Sequence, residues 1–431
     1  MSNELSATDA NFLALDSPTT HQAIAALSIL HSAPDVPRVL RDTETVVSHY
    51  PRMRERLSSA ARPYWVSDPD FCISRHVEVV QSSFESEEEL LRSVASEFEK
   101  GVDLERPLWR LVVFIGDSQH HASLFVVHHS FVDGIAGLEL FASFCGRSAD
   151  IPASPSKKRK SKLTADPTTK PSSSVKKSAS NFQSFLKLLR DGLGGTAKSL
   201  VNGANSSQRS VAILDVAIEP LQQLRRAYDS TLNDIFLTIV SGTLRQYHLR
   251  KNYLPSPLRV IMPVNTRALG ERGTLGNMIT GVGVNIPVHI DSFQGQLDFV
   301  KRQVDQLKNR AAFGAYGVLA RINARVPSFL RRILSDFAAT RTHCICTSVP
   351  GPKIIRYFGG SEIVSQYGLA ALMKGHGIAF AFLRYQGKCC ISLVGDPAIV
   401  ANIAEMKLCL ENTVNNLLEI AEGHSSARRD S

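Results

Sequence analysis

The sequence predicts an α/β (α+β) fold in two halves, and three observations carry that expectation. Short β-branched apolar runs alternate with helical periodicity across residues 1–150. The same alternation returns across 211–431. Between them, residues 151–210 change character and become rich in Pro, Ser, Thr, Lys and Gly. Strand–helix alternation is the pattern of layered α/β domains, and such a biased stretch reads as a linker. A chain of 431 residues is long enough for two sizeable cores.

In chain order, His21 to Leu30 reads as a strand, Arg38 to Ser48 as a helix and Phe71 to Val80 as a strand. Glu85 to Glu99 is an acidic helix with Leu90, Leu91, Val94 and Phe98 on one side. Trp109 to Ile115 is a strand. Leu124 to Val127 is a short apolar run of the kind found in buried strands. The residues from Asp133 to Phe141 then recur at helical spacing. In the second half, Asp229 to Leu249 is a long helix with Asn233-Asp234 in its first turn. Leu258 to Met262 is a strand ending at a Pro263-Val264-Asn265-Thr266-Arg267 turn. A strand over Thr280 to His289 and a helix over Phe293 to Arg310 follow. Cys344 to Val349 is a strand that runs into Pro350-Gly351-Pro352. Gly377 to Tyr385 and Cys389 to Val394 form a hairpin about Gln386-Gly387-Lys388, and Ile399 to Ile420 is the closing helix.

Composition excludes several classes. No window approaches the ~18 uninterrupted apolar residues of a membrane span. Glu4 and Asp9 sit where a signal peptide would need basic and then apolar residues. Seven cysteines without framework spacing point to a reducing compartment. A cytoplasmic protein is the expectation. The basic charge is local: residues 151–210 carry twelve Lys/Arg against two Asp, a net +10 beside +9 for the whole chain. Phe182 to Val201 has apolar residues at helical spacing with Lys187, Arg190 and Lys198 between them. Two readings stand open: a basic amphipathic helix touching a membrane or lipid body, or a solvated tether ending in a helix packed on the body.

Several motifs carry no chemistry. Residues 192–199 mimic a phosphate loop but have Ala197 in place of its glycine, and no strand precedes them. Gly281-Val282-Gly283 lacks the third glycine of a dinucleotide fingerprint. His343, Cys344, Cys346, Cys389 and Cys390 lack zinc-site spacing, so no metal is expected. The Lys157–Lys162 run has no interleaved aromatics, so no nucleic-acid partner is expected. No Gly-x-Ser-x-Gly elbow is present.

The chemistry concentrates in Val127-His128-His129-Ser130-Phe131-Val132-Asp133-Gly134. Two histidines end a strand and an aspartate starts a helix. Alternation along a strand points adjacent side chains opposite ways, so one histidine of the pair faces a given cavity. A histidine is neutral enough near pH 7 to take a proton from an alcohol. Asp133 stands where it can cap the helix.

His-His-x-x-x-Asp-Gly is the signature of acyltransferases related to chloramphenicol acetyltransferase. The rest of the chain resembles one branch of them, the bacterial wax ester synthase/diacylglycerol acyltransferases. Ser6-Ala7-Thr8-Asp9-Ala10-Asn11-Phe12 and Pro18-Thr19-Thr20-His21 resemble that family's start. Pro107-Leu108-Trp109 is similar to its PLW motif and Asn233-Asp234 to its ND motif. Pro263 to Arg267, Gly276-Asn277 and Val349-Pro350-Gly351-Pro352 follow in family order. The resemblance implies two chloramphenicol acetyltransferase-like halves with mixed sheets and an active-site channel between them. It implies transfer of a long-chain acyl group from acyl-CoA to a fatty alcohol or diacylglycerol. No cofactor is implied, acyl-CoA being a substrate, and the expected setting is peripheral to the inner membrane or lipid bodies.

By the same resemblance the catalytic residues are His129 as base, with His128 and Asp133. Asp133 is the more structural of them, paired across the halves with Arg267. Gly134, Asn233, Asp234, Pro107, Leu108 and Trp109 support the site. Asn233 is either an oxyanion donor or a plain helix N-cap, and Trp109 is either a site residue or core. The chain departs from the family at Gln22-Ala23, where many members have Met-His, and at Ser348, where Asn commonly stands; both bear on channel shape. Two rival functions remain: a condensation-type transferase using carrier-bound acyl groups, and a non-catalytic lipid-surface protein. The intact motif argues against the second.

Overall fold

The computed structural model describes residues 4–60, 62–117, 119–152, 198–253, 256–265, 279–309, 336, 339–352 and 354–427. The first part runs α1 (Ala7–Leu15), β1 (Ala23–Leu30), α2 (Val36–His49), β2 (Glu55–Leu57), β3 (Trp65–Ser67), β4 (Val77–Gln81), α3 (Glu87–Glu99), β5 (Trp109–Ile115), β6 (His121–His128), α4 (Gly134–Ala142) and β7 (Cys145–Gly146). The second runs β8 (Ser210–Ala217), α5 (Ile218–Ala227), α6 (Leu232–Arg250), β9 (Leu258–Asn265), β10 (Ile279–Ile286), α7 (Phe293–Asn309), β11 (Cys344–Val349), β12 (Tyr357–Phe358), β13 (Ser361–Leu369), β14 (Ile378–Tyr385), β15 (Lys388–Gly395) and α8 (Ile403–Ala427).

Two mixed sheets form the frame. The seven-stranded sheet has the order β4-β5-β6-β1-β13-β12-β7, and the six-stranded sheet β10-β9-β11-β14-β15-β8. β4–β5, β9–β11 and β11–β14 are parallel; the other pairs in these sheets are antiparallel. The first sheet is therefore not made from residues 1–150 alone: β13 and β12 come from late in the chain and join β1 to β7. Tyr367 on β13 also donates to Asp215 on β8, 2.7 Å away, stitching one sheet to the other.

The second sheet is buried on both faces, as near-continuous apolar strands require. Ala212, Val216, Phe380, Phe382, Ile391 and Leu393 pack with α5 to α8 in one core. Their strand neighbours Val211, Ile213, Leu383, Tyr385, Cys390 and Val394 belong to the other core, with β1, β5, β6, α2, α3 and α4. Period-2 alternation thus puts β8, β14 and β15 between the two cores.

Local chemistry sets the helix starts that matter below. Ser6 and Asp9 form a capping box on α1, Thr231 and Asp234 form another on α6, and Ser86 caps α3 ahead of three glutamates.

Several boundaries differ from the sequence reading. The strand expected from Phe71 begins only at Val77, after a 3₁₀ turn over Ile73–Arg75. Burial of His76 between the rings of Phe71 and Trp109, 5.2 and 4.6 Å away, fixes that turn. β9 continues through Pro263 to Asn265. Its ladder to β11 covers only Val260 and Ile261, so at Pro263 β9 pairs with β10 alone and a missing N–H is tolerated. The closing helix starts at Ile403 rather than Ile399. α1, β8, α5 and β13 were not anticipated. Of the basic segment, 153–197 lie outside the described residues, and with them nearly all of the expected Phe182–Val201 helix. Its end is not lipid-facing: Val201 is buried in the second core and Leu200 packs against it. Arg209, counted with the basic residues, is buried in the body.

Candidate active site

β6 lies between β5 and β1, and all eight of its residues are buried. Its end is held from both sides. The His128 N–H donates to the Leu108 carbonyl at 3.0 Å, and the His129 N–H to the Gln22 carbonyl at 2.7 Å. Phe131 N–H closes the turn onto the His128 carbonyl at 2.9 Å. The expected family motif Pro107-Leu108-Trp109 therefore reaches the histidines through a backbone carbonyl. Trp109 itself is core, 1 % exposed, with its Nε1 donating to the Met53 carbonyl at 2.8 Å.

The two histidines are held differently. His128 is 1 % exposed. Its Nδ1 accepts the Ser130 N–H at 3.0 Å and lies 2.7 Å from the Ser130 hydroxyl; its Nε2 lies 2.7 Å from Asp16 Oδ2. A ring nitrogen that accepts a backbone N–H carries no proton, so the other nitrogen donates to the carboxylate. Both nitrogens of His128 are thus committed to the protein. His129, half-buried, sits one residue past the strand, and its ring lies flat on Phe12 of α1: centroids 4.0 Å apart, planes within 1°. Strand alternation ends at His128, so α1 meets both rings, whereas the sequence reading sent them opposite ways.

Asp133 is fully buried and caps α4, its Oδ1 accepting the Ala136 N–H at 3.0 Å. The expected Asp133–Arg267 pair cannot be placed, because Arg267 lies outside the described residues, as do Gly276 and Asn277. Gly134 marks where the halves meet: a β-carbon built on it would stand 3.7 Å from Val349 Cγ2 at the end of β11. Two residues on, a β-carbon at Gly351 would come 2.0 Å from the Arg384 carbonyl oxygen, so the Val-Pro-Gly-Pro turn needs glycine for close backbone approach.

Asn233 does not cap α6; Thr231 does, and Asp234 is the reciprocal member of that capping box. Asn233 instead reaches Met262 on β9, its Nδ2 3.1 Å from Sδ. Ser348 lies on β11 beside Phe382 of β14.

Beneath the turn is a buried ionic cluster. Arg209 donates to the Thr19 carbonyl at 2.7 Å and faces Asp396 at 3.8 Å, while its N–H donates to Glu99 at 3.1 Å. Beside it His21 is held neutral, its pKa pushed down to about 4 by burial and by the Arg209 charge. No group of three His, Cys, Asp or Glu among the described residues is arranged to hold a metal.

Phe12, Asp16, Ser130 and Arg209 went unassigned in the sequence. Asp16 and Phe12 had a signal: a capping box starting α1, with the two residues at i, i+4 on one helix face.

The sequence matches the family model "Wax ester synthase/diacylglycerol acyltransferase catalytic domain" over residues 5–236 and the "WS/DGAT C-terminal domain" over 275–418. It is 24% identical over 457 residues to a probable diacylglycerol O-acyltransferase of Mycobacterium tuberculosis, covering 99% of this chain and 98% of that one. Its fold is similar to the wax ester synthase/diacylglycerol acyltransferase of Marinobacter aquaeolei, with a TM-score of 0.72, 19% identity and coverage of 98% and 100%. It is also similar to the first condensation domain of the calcium-dependent antibiotic synthetase, with a TM-score of 0.62, 15% identity and coverage of 97% and 96%. These likenesses give the two-lobed chloramphenicol acetyltransferase-like fold. The chain belongs to the wax ester synthase/diacylglycerol acyltransferase family, and it is an acyltransferase.

Proposed function

We propose that this acyltransferase moves a long-chain acyl group from CoA to the hydroxyl of a fatty alcohol or a diacylglycerol, with His129 as general base. The observation that carries the reading is the division of labour in the histidine pair. His128 spends both nitrogens on Ser130 and Asp16, so it is not available as the base, and the His-His-x-x-x-Asp-Gly signature gives that role to its second histidine, His129. His129 takes the alcohol proton as the oxygen attacks the thioester carbonyl. The C–S bond breaks, and the proton passes from the imidazolium to the departing thiolate. His128 and Asp133 hold the turn, and Asn233 is the candidate donor to the oxyanion. No helix among the described residues is long and apolar enough to cross a membrane, and peripheral contact with a membrane or lipid body is the proposed route of the lipid substrates.

The test offers palmitoyl-CoA with hexadecanol and with dioleoylglycerol in separate reactions, and follows free CoA and ester together. CoA and ester rising in equal amounts with at least one acceptor is the expected result. CoA release without ester, or no turnover with either acceptor, contradicts the proposal.

A further inference from the structure

We propose that one face of α1 is a positioning device for the histidine pair, with Phe12 setting the plane of the His129 ring. This rests on the general-base reading of His129. Phe12 and Asp16 are four residues apart, so one helical face presents a phenyl ring to His129 and a carboxylate to His128. The helix between them is fixed at both ends. The Ser6–Asp9 capping box holds its start, with Asp9 N–H to Ser6 Oγ at 3.1 Å and Ser6 N–H to Asp9 Oδ2 at 3.2 Å. Asp16 holds its end through His128 and the Asp16 N–H bond to the Leu13 carbonyl at 3.3 Å.

A ring 4.0 Å away and parallel within 1° favours the imidazole plane that lies flat against it. The nitrogen lone pair that accepts the alcohol proton lies in that plane, so the stack aims it. The phenyl face also attracts the imidazolium formed as the proton arrives, more than it attracts the neutral ring. Both effects grow toward the transition state, so their loss lowers kcat rather than raising KM. Phe12 is thus a positioning residue that acts through His129.

The experiment compares Phe12→Leu, Phe12→Met and Phe12→Tyr with wild type for kcat, KM and melting temperature. Loss of an aromatic contact of this kind predicts a kcat about 3- to 10-fold lower in Phe12→Leu and Phe12→Met, with KM within about 2-fold. Phe12→Tyr keeps the ring and keeps the rate. Wild-type kcat in the aliphatic variants overturns the proposal. So does a rise in KM alone, which would make Phe12 a substrate contact. An equal loss in Phe12→Tyr and the aliphatic variants, tracking a shared fall in melting temperature, also overturns it. His129→Ala run alongside separates the readings. If it turns over like wild type, the general-base reading fails; if it is inactive while Phe12→Leu is not impaired, only the role of Phe12 fails.

Discussion

At Asp133 two demands meet. Its carboxylate caps α4 through the Ala136 N–H and is fully buried. The family resemblance proposes Arg267 as its partner across the halves, and a buried carboxylate is the kind of group that such a pair stabilises. Removing one member of a buried ion pair costs about 3–5 kcal/mol because the other charge is stranded. Asp133→Asn and Arg267→Gln are each expected to lower stability in chemical denaturation. The double variant should lose less than the sum. Strictly additive losses contradict the pairing. At this scale the sequence was partly legible. The histidines, Asp133 and Gly134 are adjacent in the chain, so their spacing alone exposes them. Asp16 and Ser130 are what commit His128, but the bond from His128 to Asp16 spans 112 residues, and no local pattern announces it. Arg209 was misread for the same reason: among lysines it looks solvated, yet its charge is balanced by Glu99 and Asp396 from distant elements.

Elements with strong local signals were read nearly to the residue. The β14–β15 hairpin follows from two apolar runs around Gln386 and Gly387, both at positive φ of 46° and 74°. α3 follows from its apolar stripe and acidic first turn. α1 was missed because nine residues with apolar side chains scattered around the helix give no stripe; its placement comes from the capping box and the histidines it meets. β13 was missed because its identity depends on β1, more than 300 residues earlier in the chain. Cys145-Gly146 is a strand only because β12 returns to it. Departures from expectation concentrate where pairing is nonlocal, and those pairings carry the late chain into the first sheet.

On the scale of the whole molecule, the charge separates from the fold. The Lys157–Lys162 run lies outside the described residues, and its composition alone supports an electrostatic role. Basic residues near an anionic surface contribute about 1 kcal/mol each, and the attraction decays over a Debye length of about 8–10 Å. Replacing Lys157, Lys158, Arg159, Lys160 and Lys162 by Ser or Gln should weaken sedimentation with anionic liposomes. Wild-type sedimentation should fall as salt is added. Turnover of a short, soluble acyl-CoA and alcohol should be nearly unchanged. Equal liposome binding with and without those charges removes the docking role and leaves a solvated tether.

The central claim is that His129 moves the proton while His128 holds the turn. It is tested most directly by the turnover number of His129→Ala, measured with palmitoyl-CoA and the better acceptor on protein shown to fold by circular dichroism. Loss of a general base predicts a kcat lower by ~100-fold or more with the fold retained. A folded His129→Ala enzyme with wild-type kcat would contradict it.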